Sequence, residues 1–199
     1  MSVNRENLAC LPSNLVQAEG IRVSGVSGLV TGVAAAGELF GCRNILYAAA
    51  VARIRLRWAT TTAFGAAQAL AFRVHKVTGF TAIHTTGGTA IQAHYKRGAT
   101  VRGLAVGGRV PLTDISSYIA ATGAITGATF TAVDADEPDT FAVGAGSTLP
   151  GVYEDDDNPD GLCFALEANE GIIVSNQIAM GASGVGSLFV SLDLYRQGA

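Results

Sequence analysis

Apolar and polar residues alternate along this chain with a period of two in short runs, and a period of 3.6 is hard to find over any window of a dozen residues. Clusters of Gly, Thr, Asp and Pro separate the runs. The clearest one spans residues 52–58, where Arg53, Arg55 and Arg57 alternate with Ile54, Leu56 and Trp58, so a strand here turns one face to a core and the other to solvent. Leu70, Phe72 and Val74 alternate with Ala71, Arg73 and His75 in the same way, and Thr78-Gly79 ends that strand. Residues 80–84 are expected to form the next strand, to turn at Thr85-Thr86-Gly87-Gly88 and to return as a hairpin over residues 90–95. Shorter strands are predicted at residues 101–106, 128–133 and 140–143. Further on, Leu162, Phe164 and Leu166 share an apolar face, and residues 172–178 read as another strand. Leu188, Val190, Leu192 and Leu194 then alternate with Phe189, Ser191, Asp193 and Tyr195.

Strands at this spacing predict an all-β chain, a β-sandwich or jelly roll. Two alanine-containing segments, residues 44–52 and 116–121, are expected as short helices, the second capped by Ser116. Residues 1–20 have weak periodicity and include Pro12, so they are read as an extended N-terminal arm, and residues 21–199 as a single β-sandwich domain. The glycine- and alanine-rich residues 25–41 read as a turn-rich strand pair.

Composition adds a functional constraint. Charged residues make up 15% of the chain against a usual ~25%, while 49% is apolar and 25 residues are glycine. An exterior so poor in charge is expected to be partly covered by partners, most simply by further copies of the chain. The net charge is −3 and the Lys and Arg residues are scattered, which argues against a nucleic-acid partner. Cys10, Cys42 and Cys163 are odd in number and far apart, as expected of reduced, mostly buried thiols. No run approaches the roughly 20 apolar residues that span a bilayer, and the first residues hold no apolar secretion segment, so a protein made in a cytosol, with no membrane partner, is expected.

No pattern of catalytic chemistry emerges. His75, His84 and His94 lack the H-x-H or H-E-x-x-H spacing of a metal site. Ser27 and Ser183 lack the G-x-S-x-G frame of a nucleophile, and the glycines at 144–146 and 181–186 are followed by no G-K-S/T. The acidic run Tyr153 to Gly161 reads as a solvated loop, with calcium binding or pairing with the arginines of a neighbouring subunit as alternatives. The stripe of Arg53, Arg55 and Arg57 reads as a solvent-facing strand surface. An enzyme is not expected, and no catalytic, cofactor or metal residue is assigned. A glycan-binding surface built on Tyr47, Trp58, Tyr95 and Tyr153 stands as an alternative from another class.

Two stretches carry a resemblance. Residues 69–97 contain Phe72, then Phe80-Thr81-Ala82, Thr86-Gly87-Gly88-Thr89-Ala90 and Lys96-Arg97. Residues 166–194 contain Asn169-Glu170-Gly171, then Ile178-Ala179-Met180-Gly181-Ala182 and a closing strand. In order and spacing they are similar to segments of uncharacterised structural proteins of tailed bacteriophages, although the closing strand finishes with Asp193-Leu194-Tyr195-Arg196 rather than with that group's Trp-and-acid ending. The resemblance implies a virion protein made in the host bacterial cytoplasm, such as a capsid decoration or cement subunit that binds between capsomers. The implied partners are other copies of itself, as a trimer or larger homo-oligomer, and virion proteins such as the major capsid protein. A tail or fibre location is the alternative within the same class.

Overall fold

The structure is a computed structural model that describes residues 19–46, 48–65, 69–95, 111–134, 139–144, 151–155 and 165–196. The described residues form no helix. They form the strands β1 (Glu19–Val26), β2 (Glu38–Asn44), β3 (Ala49–Thr62), β4 (Ala69–Thr78), β5 (Gly88–Tyr95) and β6 (Pro111–Ala120). After them come β7 (Ala132–Val133), β8 (Asp139–Gly144), β9 (Gly151–Asp155), β10 (Ala165–Leu166), β11 (Glu170–Asn176) and β12 (Val185–Arg196).

All twelve strands belong to one sheet, ten of them in the order β10-β3-β12-β1-β5-β6-β2-β11-β4-β7 with β8 and β9 off that path, and every pairing is antiparallel. The 14-residue β3 pairs with β12 along one edge and shares its other edge between β10 and β9. β4 likewise pairs with β11 on one side and with β8 and β7 on the other. Trp58 of β3 and Phe72 of β4 lie near opposite ends of that order, yet their ring centroids are 4.9 Å apart. The sheet therefore curls back on itself as a half-barrel whose two wings face each other across a common core. Bulges in β12 at Val185/Gly186 and Asp193/Leu194 supply local bends of the kind such curvature needs.

The period-two pattern decides which side chains enter that core. Ile54, Leu56 and Trp58 of β3 are each at most 2% exposed, opposite Leu192, Val190 and Leu188 of β12. From the facing wing come Phe40 and Cys42 of β2, Ile172 and Val174 of β11, and Leu70, Phe72 and Val74 of β4. The rings of Phe64, Trp58, Phe72 and Phe141 run in sequence through the interior. Fully burying each large apolar side chain contributes roughly 1.5–3 kcal/mol.

The outer side of β2, β11 and β4 is covered as well. Residues 80–87 and 125–131 lie over it, joined to each other by backbone bonds such as Thr81 N–H to Thr129 O and Thr126 N–H to Thr86 O. A second apolar cluster fills the gap, with Val77 and Ile173 from the sheet and Phe80, Ile83, Ala128 and Phe130 from the cover. Burial on both faces is why β11 is buried from Gly171 to Asn176 without alternation.

Several sequence expectations change here. The segments 44–52 and 116–121 hold no helix where they are described: residue 44 ends β2, residues 49–52 begin β3 and residues 116–120 are the second half of β6, while residues 45, 46, 48 and 121 are irregular. Alanine's helix propensity is worth tenths of a kcal/mol per residue, and β6 gains a ladder on each side, with β2 and β5. Residues 80–84 form no strand beyond an isolated bridge from Ala82 to Thr129, so the expected hairpin with 90–95 is absent. The Thr86-Gly87-Gly88 turn is real, with Gly87 at φ 83°, but β5 leaves it to pair with β6 and β1. Of the strand expected over 128–133 only β7 forms. β1 starts at Glu19, so the last two positions of the expected arm are strand; the rest of the arm and residues 101–106, 162 and 164 lie outside the described residues.

Candidate functional site

The polar groups that sequence reading singled out separate into two places on the outside of the half-barrel. The first is the boundary between the cover and the outer side of β2, β11 and β4. His84 is fully buried there, and its Nε2 pairs with the carboxylate of Glu38 at the start of β2. The imidazole lies near the phenol of Tyr118, ring centroids 6.5 Å apart and 18° from parallel, and meets Phe80 edge-on. It rests on Gly41: a Cβ there would come within 2.5 Å of the ring. Glycine in the middle of a strand weakens it, and this close approach is what the position requires. Phe80 uses Gly171 in the same way, at 2.6 Å.

These contacts join the two halves of the sequence resemblance. The Phe80 N–H donates to the Asn169 carbonyl at 2.7 Å, and the Phe80 ring occupies the space over Gly171. Asn169 sits at φ 62°, a left-handed conformation that asparagine tolerates, and its Oδ1 accepts from Arg43 at 2.6 Å. Gly79, at φ 61°, turns the chain out of β4 and into the cover. Residues 79–80 and 169–171 therefore build a turn, a glycine seat and the ring that fills it.

Next to Glu38, on the same outer side, His75 and Ser175 meet at 2.7 Å, and Gln177 donates to Ser175 Oγ at 2.8 Å. The Ser175 hydroxyl thus accepts from Gln177 and shares a hydrogen bond with His75 Nε2. Burial, reinforced by the Arg73 cation, holds His75 below its ordinary pKa of 6.5, with Glu38 pulling the other way. The folded chain thus binds this proton less readily than the unfolded chain. Its contribution to stability is complete above about pH 6.5 and is lost as pH falls through the lowered value. Urea midpoints measured between pH 7.5 and 5 are expected to fall on the acid side, and His75→Gln to flatten that slope; equal slopes would remove His75 from the account.

Glu38 also lines an open cleft of about 320 Å³, with Gly37, Ile125, Gly127 and Phe130 around it. That volume is at the small end for ligand sites. Glu38 is the one charged residue among those lining it, and its carboxylate pairs with His84.

The second place is the outer face of β1, β12 and β3. Register sets Arg22, Asp193 and Arg53 in one row, Ser24, Ser191 and Arg55 in the next, and Val26, Phe189 and Arg57 in the third. Asp193 is 2% exposed and accepts from Arg22 Nε at 2.8 Å and Nη2 at 3.2 Å. The Arg57 guanidinium lies 5.8 Å from the centroid of the Phe189 ring. In register, Glu154 of β9 stands opposite Arg55.

The remaining candidates do not converge. His94 is in β5, opposite Arg22. Ser27 Oγ donates to the Gly28 carbonyl and accepts from Leu188 N–H, each at 2.8 Å, and Ser183 Oγ accepts from Gly65 N–H. Cys42 is a buried thiol whose pKa burial pushes up to about 12, and Cys10 and Cys163 lie outside the described residues. Trp58 is fully buried, which removes it as a stacking surface for a sugar. Tyr47 and residues 156–161 of the acidic run lie outside the described residues, and Tyr95 and Tyr153 are placed only by their strands. Among the described residues no three His, Cys, Asp or Glu gather as metal ligands. No described helix is long and apolar enough to cross a membrane.

The Glu38 to His84 pairing had no local signal in the sequence, since 46 residues separate the two. Gly41 and Gly171, placed inside otherwise apolar strands, were the available hint of a close approach. No protein-family model matches the chain, and no curated protein matches it.

Proposed function

We propose that this chain is a structural protein of a bacteriophage virion, a decoration or cement subunit that binds in many copies between capsomers and stabilises the head. The observation that carries this reading is the wiring of the strands. Leaving out the pieces between β4 and β8 and the two-residue β10, two runs remain: β1-β12-β3-β9 and β2-β11-β4-β8. In chain order the strands alternate between the runs except that β4 and β8 both lie in the second, and the pairs β1–β12, β2–β11, β3–β9 and β4–β8 nest from the ends inward, as in a hairpin of strands rolled upon itself. We read this order as that of a jelly roll, an architecture frequent in viral capsid domains and lectins, and it supports the virion reading. β5 and β6 then bridge the runs, β5 against β1 and β6 against β2.

The resemblance of residues 69–97 and 166–194 to tailed-phage structural proteins supports the same reading, because its motifs are used for packing rather than for chemistry. We assign no catalytic, cofactor or metal residue. The expected partners are other copies of the chain and the capsid surface, not nucleic acid. The lectin reading lacks Trp58, which is inside.

Mass spectrometry of purified virions tests the proposal. Hundreds of copies per particle are the expected result, a dozen or fewer would move the chain to the tail or a fibre, and its absence from particles would refute both.

A further inference from the structure

The cleft beside Glu38 sets a single carboxylate among small and apolar walls: Ala36, Ala124, Ile125 and Phe130 line it, with Thr126 as its other polar side chain. Backbone bonds hold those walls. Ile125 N–H donates to the Glu38 carbonyl at 2.8 Å, and Ala36 N–H to the Asn176 carbonyl at 2.6 Å. Ala36 holds φ 61°, a left-handed conformation uncommon for a residue with a Cβ, which persists where the surrounding structure fixes it.

The charge in the cleft follows from the partner of Glu38. Among the described residues its ion pair is with His84, whose side chain is fully buried. A carboxylate only accepts, so His84 Nε2 carries the shared proton. Its Nδ1 has no hydrogen-bond partner. A second proton on the ring would therefore bury an N–H without an acceptor and a charge with it, both unfavourable. His84 stays neutral, and Glu38 keeps its negative charge. Two other ionisable groups share this outer side. Burial and the Arg73 cation hold His75 below its ordinary pKa of 6.5, so it is uncharged at neutral pH. Arg73 stands in the same row as Glu38 but two strands away across Ser175, about 10 Å between Cα atoms, and does not line the cleft.

We infer that this cleft binds an alkylammonium group, the cation against the Glu38 carboxylate and the alkyl chain against Ile125 and Phe130. One anion among apolar walls suits a ligand that is cationic at one end and apolar behind it. An aromatic residue in the wall favours an organic cation further. A hard metal ion needs several oxygen ligands, and no three metal-binding side chains gather among the described residues. The ammonium group belongs to a free amine or to the end of a lysine side chain, and the chemistry is the same. The site stands apart from the proposed place in the virion.

Calorimetric titration of the full chain at neutral pH with n-butylammonium, with butanol and with Nα-acetyl-lysine methylamide tests the inference. Butylammonium is expected to bind with a roughly millimolar Kd, as suits so small a ligand, and uncharged butanol at least about tenfold more weakly. Glu38→Gln keeps an acceptor for His84 and removes the charge, so its unfolding midpoint should stay within about 2 °C of the parent while butylammonium binds at least about tenfold more weakly. Thr126 is exposed, so Thr126→Trp should fold and weaken binding by obstruction to a similar extent. Binding of the lysine derivative as well extends the site to lysine side chains, and binding of butylammonium alone restricts it to free amines. No heat with butylammonium, equal binding of butanol, or affinity unaltered in both variants would overturn the inference. If Glu38→Gln unfolds, butanol and Thr126→Trp decide. NMR of the His84 ring nitrogens is an independent check: one protonated nitrogen is expected, and a doubly protonated ring would overturn the inference by cancelling the charge of Glu38.

Discussion

Replacing Trp58 by alanine is expected to lower the free energy of unfolding by roughly 3–5 kcal/mol, the range for deleting a fully buried aromatic side chain from a core. The indole is where the two wings of the half-barrel meet, packed against Phe72 of β4 at 4.9 Å and Phe64 at 6.3 Å between centroids. Among the described residues no backbone ladder joins β3 to β4, so side-chain packing is what holds these ends of the sheet together. The Nε1–H donates to Thr60 Oγ1 at 3.0 Å, and that bond is lost with the ring. Trp58→Phe keeps an aromatic ring in place and should retain most of the stability, because volume-conserving exchanges in cores cost less than truncation. Guanidinium unfolding followed by circular dichroism measures both variants. A loss under about 1 kcal/mol for the alanine variant would mean that the wings are not held together by this cluster.

The strands that meet at Trp58 were the most legible part of the chain. Arg53 to Trp58 and Leu188 to Tyr195 alternate because each has one face in the core and one outside, and in the structure they are neighbours in register. The core positions of β3 and β12 could be listed from those alternations alone. β2 and β11 were harder to interpret because the cover buries their outer side as well, which erases the alternation. The alanines of 44–52 and 116–121 misled for a related reason: a small residue suits a helix and a crowded sheet equally, and the pairing partner that decides between them lies elsewhere in the chain. For residues 80–84 the turn was legible and the partner was not. Their backbone bonds go to residues 129 and 169, and no local pattern in 80–84 points to either.

The same asymmetry applies to the candidate sites. The arginine stripe was visible because it repeats every second residue within one strand. That Phe189 and Asp193 complete its face depends on β12 lying beside β3, a pairing between segments more than a hundred residues apart. Charge pattern within a strand is local information, whereas the composition of a face belongs to the sheet. The polar pair beneath the cover is further removed still, because it links a strand to a loop and leaves only a glycine as its trace.

That glycine allows the cover to be tested directly. Gly41→Ala places a methyl group within 2.5 Å of the His84 ring and should destabilise the fold by roughly 1–3 kcal/mol through overpacking. His84→Ala is expected to cost a comparable amount, since it empties a fully buried position and takes away the partner of Glu38. Combining the two should cost less than their sum. The methyl group introduced at position 41 would occupy space that the imidazole has vacated, so the clash present in the first variant cannot arise in the second background. The expected coupling is roughly 1–2 kcal/mol in the relieving direction, within the range for residues in direct contact. A double-mutant cycle in urea measures it from three variants and the parent. If the changes add to within about 0.5 kcal/mol, His84 does not rest on Gly41 in solution, and the cover is held to the sheet chiefly by Phe80 on Gly171.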